Sequence, residues 1–312
     1  MAAPRPRLLP FALVGAILAV STASIFIRFA QADAPSLVIA ALRLTLASLV
    51  LAPSALVRHG GELRRLGRED LALGLLSGLF LSIHFATWIT SLEYTSVASS
   101  VVLVSTGPLW VALLSPLFLR ERLGGIVLGG MALALLGGLL IGLSEACARG
   151  TGLACGPLGN VLHGRAMYGN FLALLGAWAV AAYLIIGRKL RQRLPLVPYI
   201  FMVYGMASLC LLGFMLIAGE SPLHYRPVTY AWILLLALIP QMIGHSTYNW
   251  ALAYLPAGLV AITTLGEPIG SAVLAYLILH EAPTALTLAG GLLILAGLYV
   301  STLARSAAGQ DG

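Results

Sequence analysis

Apolar residues run along this chain in long unbroken blocks, separated by short stretches that hold most of its arginines. Crossing a hydrocarbon layer about 30 Å thick takes about 20 apolar residues as helix. Ten blocks approach that rule: 8–29, 36–57, 70–92, 95–118, 124–143, 166–188, 196–218, 229–251, 256–279 and 284–303. We number them segments one to ten. They are apolar all round rather than amphipathic, as helices against lipid or inside a bundle must be. The period-two alternation of barrel strands is absent. The pattern predicts an all-α integral membrane protein of ten transmembrane helices. The start, Arg5 and Arg7 before LLPFALVGAILAV and STAS, has the outline of a secretory leader. The apolar run continues through Ile25, Phe26 and Ile27, however, and its removal would leave nine segments, so we expect it to stay as segment one.

Composition agrees. The AVILMFWYC set makes up 60% of 312 residues and charged residues only 9%, where a soluble domain carries about 25% charge. That excludes a soluble enzyme, a disordered chain and a disulfide scaffold. The net charge of +7 is no nucleic-acid signal, because no contiguous basic face with aromatic readers exists. Its distribution fixes an orientation instead. With the N-terminus inside, Arg5, Arg7, Arg58, Arg64, Arg65, Arg68, Arg120, Arg122, Arg188, Lys189, Arg191, Arg193 and Arg305 are cytoplasmic. Only Arg28, Arg149, Arg165 and Arg226 then lie in outside connectors. Both termini are expected in the cytoplasm, with the chain in a plasma (inner) membrane. Cys210 reads as a small packing residue of segment seven. Cys147 and Cys155 share one outside connector, where a local disulfide is a hypothesis.

The sequence also repeats itself. A shift of 160 superposes Arg28 on Arg188, Pro35 on Pro195, Tyr94 on Tyr254, Pro108 on Pro268, Glu121 on Glu281, Gly130 on Gly290 and Gly137 on Gly297. SLEYTSVASSVVLVSTGPLWVALLSPLFLRE and ALAYLPAGLVAITTLGEPIGSAVLAYLILHE align without a gap. The chain divides into a first five-helix repeat, 1–145, an external connector, 146–165, and a second repeat with a short cytoplasmic tail, 166–312. Five is odd, so the halves must lie inverted in the bilayer, as in many secondary transporters built around a midplane cavity.

These features, with Glu267-Pro268 and the glycine-rich last segment of each half, resemble EamA-type members of the drug/metabolite transporter superfamily over nearly the whole chain. The resemblance implies a ten-helix fold with cytoplasmic termini and a substrate cavity between the halves, usually for export of small metabolites. It does not specify the substrate.

A charge within a segment costs roughly 3 kcal/mol unless paired or hydrated, so buried ionisable groups are functional candidates. Arg43 lies about 10 Å inside segment two, and Glu267 lies near the middle of segment nine. The two could pair with each other, or separately meet the carboxylate and ammonium of a substrate. Segment eight carries Gln241, His245, Tyr248 and Asn249 on one helical face; segment three answers with Ser77, His84, Trp88 and Ser91. We read two polar-aromatic faces across a cavity. Thr263, Glu267 and Ser271 share a face of segment nine, and Ser21, Ser24 and Arg28 one of segment one. Trp110, Trp178 and Tyr183 offer rings for stacking or cation binding, or for packing. Pro108, Pro240 and Pro268 predict bends or hinges. Gly125 with Gly129 and Gly138 with Gly142 predict close helix packing, within a monomer or across a homodimer. Glu121 and Glu281 are expected to anchor the next helix by accepting its first N–H groups.

The expected function is a secondary transporter exporting a small amphipathic metabolite such as an amino acid, the alternative cargo being drugs or organic cations. No phosphate-binding GxxxxGK[ST] loop is present, and no cofactor or metal is expected. Glu267, His84 and His245 are the groups available for proton coupling. An intramembrane enzyme or a haem or quinone protein is the reading from another class. Neither GxSxG nor HExxH occurs to support the former, and His84 and His245 lack the spacing for the latter.

Overall fold

A computed structural model describes residues 6–119, 125–147, 164–255 and 257–308, and among these every regular element is a helix. Glu121 and Cys155, and with Cys155 the disulfide considered above, lie outside the described residues. Segment one is two helices, Leu9–Ser21 and Ala23–Gln31. Segment two is Ser36–Pro53 with a π-helical end, Ser54–Arg58. Segments three, five, six, seven and ten are the helices Arg68–Ser91, Gly125–Cys147, Arg165–Arg191, Leu196–Ile217 and Ala285–Ala308. Seven stretches among the described residues are long and apolar enough to cross a bilayer, from Leu9–Gln31 to Pro227–Ala251; Gly266–Leu279 and Ala285–Gly297 are apolar but shorter.

Helix pairing follows the internal repeat. Segment three packs on six and seven, and segment eight correspondingly on one and two. Segment six packs on four, segment one on nine. Two pairs with seven and five with ten, each joining repeat-related helices. Exchanging the halves therefore maps this set of pairings onto itself.

Segment three shows how its neighbours run. Its first turn carries Glu69, which accepts from Lys189 at the end of segment six at 3.0 Å. Near its last turn the Ile89 carbonyl accepts from Gln31, at the end of segment one, at 2.8 Å. Those positions are about 30 Å apart at 1.5 Å per residue. Segments one and six, which are repeat mates, thus point in opposite directions.

Segments five and ten meet through glycine. A Cβ on Gly137 would lie 2.4 Å from the Gly290 carbonyl oxygen, one on Gly290 2.6 Å from the Gly137 carbonyl, and one on Gly297 2.4 Å from that of Gly130. These are the glycines that the repeat superposes. The expected pairs differ: nothing lies within 4 Å of a Cβ on Gly125 or Gly129, and Gly138 would touch only Leu103. A four-residue glycine spacing marks a possible seam, but the crossing point is set by which face meets the partner helix.

Candidate functional site

Segments four and nine each break in the middle. Four is Val97–Val104 then Gly107–Leu119, and nine is Ala257–Thr263 then Gly266–Leu274. Pro108 and Pro268 fall in the first turn of the second helix, where a missing N–H leaves no bond unmade. They restart a helix rather than bend one. In segment eight the helix Pro227–Leu236 widens into a π-helix, Ala237–His245, before Ser246–Ala251. Pro240 sits inside it; a proline cannot donate to the carbonyl four residues back, and the wider turn accommodates it.

A cavity of about 60 Å³ opens at these breaks. Segment three contributes His84 and Trp88, segment four Val104, Ser105, Gly107 and Pro108, and segment six Val180, Tyr183 and Leu184. Segment eight contributes His245 and Tyr248, and segment nine Ala261, Thr264 and Glu267. Trp88 with Tyr248, Val104 with Thr264, and Gly107 with Glu267 are each 160 residues apart, so repeat-related positions of both halves meet at the cavity. The Trp88 indole N–H and the Tyr248 hydroxyl are buried with no hydrogen-bond partner. An unmade buried hydrogen bond costs about 1–3 kcal/mol, so both atoms suit a bound molecule or water. The His84 ring stacks on Trp88 with centroids 5.9 Å apart and lies 6.3 Å from His245. Its Nδ1 donates to the Gly176 carbonyl at 2.9 Å, which places the proton of a neutral ring there.

Behind this wall lies a second polar cluster. Arg43 is fully buried; its Nε donates to Gln241 Oε1 at 3.1 Å and its guanidinium lies 4.2 Å from the centre of the Phe85 ring. Tyr183 donates to Asn249 Oδ1 at 2.7 Å, Asn249 donates to Tyr204 at 3.3 Å, and Tyr204 meets the Ser246 hydroxyl at 3.2 Å. Arg43 and Glu267 interact electrostatically but form no hydrogen bond or ion pair, so the direct pair considered above is not made.

The expected single face of segment eight is therefore divided. His245 and Tyr248 line the cavity, whereas Gln241 and Asn249 turn to Arg43 and the tyrosines. Thr263 donates to the Val260 carbonyl, and Thr264 takes the cavity position, because the helix break shifts the register by one. Ser271 donates to the Ser21 carbonyl at 3.1 Å, joining segments nine and one. Trp178 is 39% exposed and meets Phe80 edge-on, away from the cavity. Trp110 does not line it either, and its indole N–H has no partner. Sequence reasoning missed Ser105 and Thr264; their place beside the repeated proline was the available signal. Among the described residues no group of three His, Cys, Asp or Glu could hold a metal ion.

Both ends of the bundle carry polar ties between halves. At one end Arg28 pairs with Glu281 at 3.0 Å and donates to the Thr95 carbonyl, while Glu281 accepts the Val97 N–H at 3.0 Å. Glu281 thus caps segment four of the other half, not the following helix as expected. Asp33 accepts from the Thr229 hydroxyl at 2.7 Å and the Arg226 N–H at 2.8 Å. These bonds, the Thr229 hydroxyl first, hold its carboxyl below the ordinary range. At the other end Arg193 pairs with Asp70 at 2.9 Å and Lys189 with Glu69 at 3.0 Å. Asp33 and Arg193 are 160 residues apart: one station, opposite charge.

Two related helical halves that enclose a polar-aromatic cavity within apolar walls define a membrane transport protein. The chain matches the EamA-like transporter family twice, over residues 8–143 and 167–303, and it belongs to that family. It is 28% identical over 248 residues to a probable amino-acid metabolite efflux pump of Salmonella typhimurium, covering 75% of this chain and 78% of that one. A pseudopaline exporter of Pseudomonas aeruginosa is 26% identical over 285 residues, covering 90% and 92%. A probable terminal-alkyne amino-acid exporter of Streptantibioticus cattleyicolor is 28% identical over 272 residues, covering 83% and 81%. A solved crystal structure shares the fold with a TM-score of 0.66 at 21% identity, covering 96% of this chain and 98% of the other.

Proposed function

We propose that this protein is a secondary exporter of small amphipathic metabolites, amino acids or related compounds, working by alternating access through the cavity between its halves. The observation that carries this reading is the repeat-related pair of unsatisfied donors, Trp88 and Tyr248, facing one cavity beside the Glu267 carboxylate. Rings supply apolar contact and Glu267 a charge for an ammonium group. A cavity of about 60 Å³ holds only about four waters. It must widen to admit a metabolite, and movement of one half against the other is the available means. The names of the three relatives support export, and two of them an amino-acid-like cargo.

In this reading ten segments cross the bilayer as two inverted repeats, 1–145 and 166–312, joined by the external connector 146–165. Both termini face the cytoplasm of a plasma (inner) membrane, and the unit is a monomer or homodimer. Glu267, His84 and His245 are the coupling candidates. A single acid among aromatic rings also favours a second cargo, organic cations. The test is flux into proteoliposomes of radiolabelled amino acids and organic cations, with and without a pH gradient. We expect saturable flux of at least one class that Glu267→Gln reduces; absence of flux across both classes rejects the proposal.

A further inference from the structure

Arg43 presents an unsettled charge account. Its Nη1 and Nη2, and Nε2 of its partner Gln241, are all buried without a hydrogen-bond partner, and both residues are 0% exposed. A buried guanidinium that makes one of five possible hydrogen bonds, with no carboxylate against it, bears a desolvation cost of several kcal/mol. The cation–π contact with Phe85 offsets only part of that. The three idle nitrogens belong to two side chains already joined by the Nε–Oε1 bond. Phe85, Tyr204, His84 and His245 around them supply no negative charge when neutral, and Glu267, the one acid that interacts with Arg43 electrostatically, makes no hydrogen bond or ion pair with it. Phe85 touches the Arg43 guanidinium and also the rings of His84 and His245, with centroids 4.8 and 5.2 Å away. Both histidines line the cavity, so Arg43 is one ring's thickness from it.

We propose that Arg43 and Gln241 form an anion subsite behind Phe85 that takes a monovalent carboxylate or an equivalent small anion. Its two sources are the carboxylate of a zwitterionic cargo, whose ammonium end meets Glu267, and a free anion such as chloride that accompanies an amine cargo. The planar fork of the guanidinium matches a carboxylate, and Gln241 Nε2 adds a third donor. Rotation of Phe85 joins the subsite to the cavity. The cargo version rests on the export reading above; the subsite itself does not.

The test uses the full-length protein in lipid nanodiscs, titrated at constant ionic strength with L-phenylalanine, hydrocinnamate, phenethylamine, chloride or gluconate while its thermal midpoint is read. Arg43→Met and Gln241→Leu keep the side-chain volume. The expected result is a carboxylate or chloride response in the wild type that is roughly 10–100-fold weaker in Arg43→Met, with the phenethylamine response unchanged. Response to hydrocinnamate and phenylalanine but not chloride assigns the anion to the cargo; response to chloride alone assigns it to a free ion. No anion response in the wild type, or an equal one in a folded Arg43→Met, overturns the subsite and leaves Arg43 satisfied by water. Should Arg43→Met not fold, Gln241→Leu carries the same comparison with the smaller expected loss of one neutral hydrogen bond, roughly fivefold. Proteoliposome flux is measured in parallel: an anion response without flux removes the export reading alone, and flux without an anion response removes the subsite alone.

Discussion

Replacing Gly290 by alanine tests the contact that holds segments five and ten together. The added Cβ falls 2.6 Å from the Gly137 carbonyl oxygen, 2.8 Å from Ile141 Cγ1 and 3.2 Å from Ile141 N. Ordinary contacts begin near 3.4 Å, so the helices must separate by roughly 0.8 Å, and two of the three opposing atoms are backbone that cannot swing aside. Overpacking of this kind costs about 1–3 kcal/mol. Against it stands the gain in helix propensity from Gly to Ala, about 0.5–1 kcal/mol. Gly129→Ala is the matched control, since its Cβ meets nothing within 4 Å and only the gain remains. Thermal midpoints of the two purified variants in one detergent should therefore move in opposite directions, Gly290→Ala down and Gly129→Ala level or up. Gly137→Ala, which places a Cβ 2.4 Å from the Gly290 carbonyl, should add less than its own cost to Gly290→Ala, because one separation relieves both clashes. A Gly290→Ala midpoint equal to that of Gly129→Ala would falsify the seam.

Three further outcomes follow from the site and its ends. Trp88→Phe and Tyr248→Phe, which each remove one orphan buried donor, should leave thermal stability level or raised while weakening binding of a transported cargo by about 0.5–1.5 kcal/mol each; unchanged cargo affinity in both would detach these atoms from recognition. Glu281→Gln should keep the Val97 N–H satisfied through its amide oxygen yet lose the charge opposite Arg28, and cysteine accessibility at residue 97 should rise; identical labelling of wild type and variant would show the Arg28 pair to be inert. Asp33 has a depressed carboxyl pKa, so its contribution to stability is present above the ordinary carboxylate value of about 4 and fades as pH falls through the folded-state value. The stability difference between wild type and Asp33→Asn should accordingly be full at neutral pH and shrink under acid; a difference that grows on acidification contradicts the hydrogen bonds assigned to Asp33.

The apolar blocks and the 160-residue offset were legible because lipid demands long uniform helices and duplication preserves spacing. Helix contacts inherited that legibility: the repeat superposes Gly130 on Gly290 and Gly137 on Gly297, and the same four glycines meet crosswise, Gly137 against Gly290 and Gly130 against Gly297. What failed was extrapolation of one helical period through a break. Counting at 3.6 residues per turn across Thr263–Gly266 selected Thr263, where the restart turns Thr264 inward. The same count along segment eight placed Gln241 and Asn249 with His245 and Tyr248; Gln241 lies within the π-helix Ala237–His245, where that count does not hold, and Asn249 sits about 100° round the following α-helix from Tyr248. Trp178 was misplaced for another reason: a large ring within an apolar block suits a lipid-facing surface as well as a cavity, and composition does not distinguish the two sides. The idle nitrogens of Arg43 were not foreseeable, since a lone buried arginine suggests a carboxylate partner and only coordinates reveal that Glu267 stands off.

The opposite charges at Asp33 and Arg193 bear on how such a duplicated chain can be reassembled. An assembly of two first halves would set Asp33 against Glu69 and Asp70 at both mouths, acid facing acid, and like charges at that range repel. Two second halves would bring Arg193 to the Arg226–Thr229 turn with no carboxylate to receive it. At both mouths each half therefore meets the other on better terms than it would meet a copy of itself, a bias of the modest size that exposed ion pairs carry.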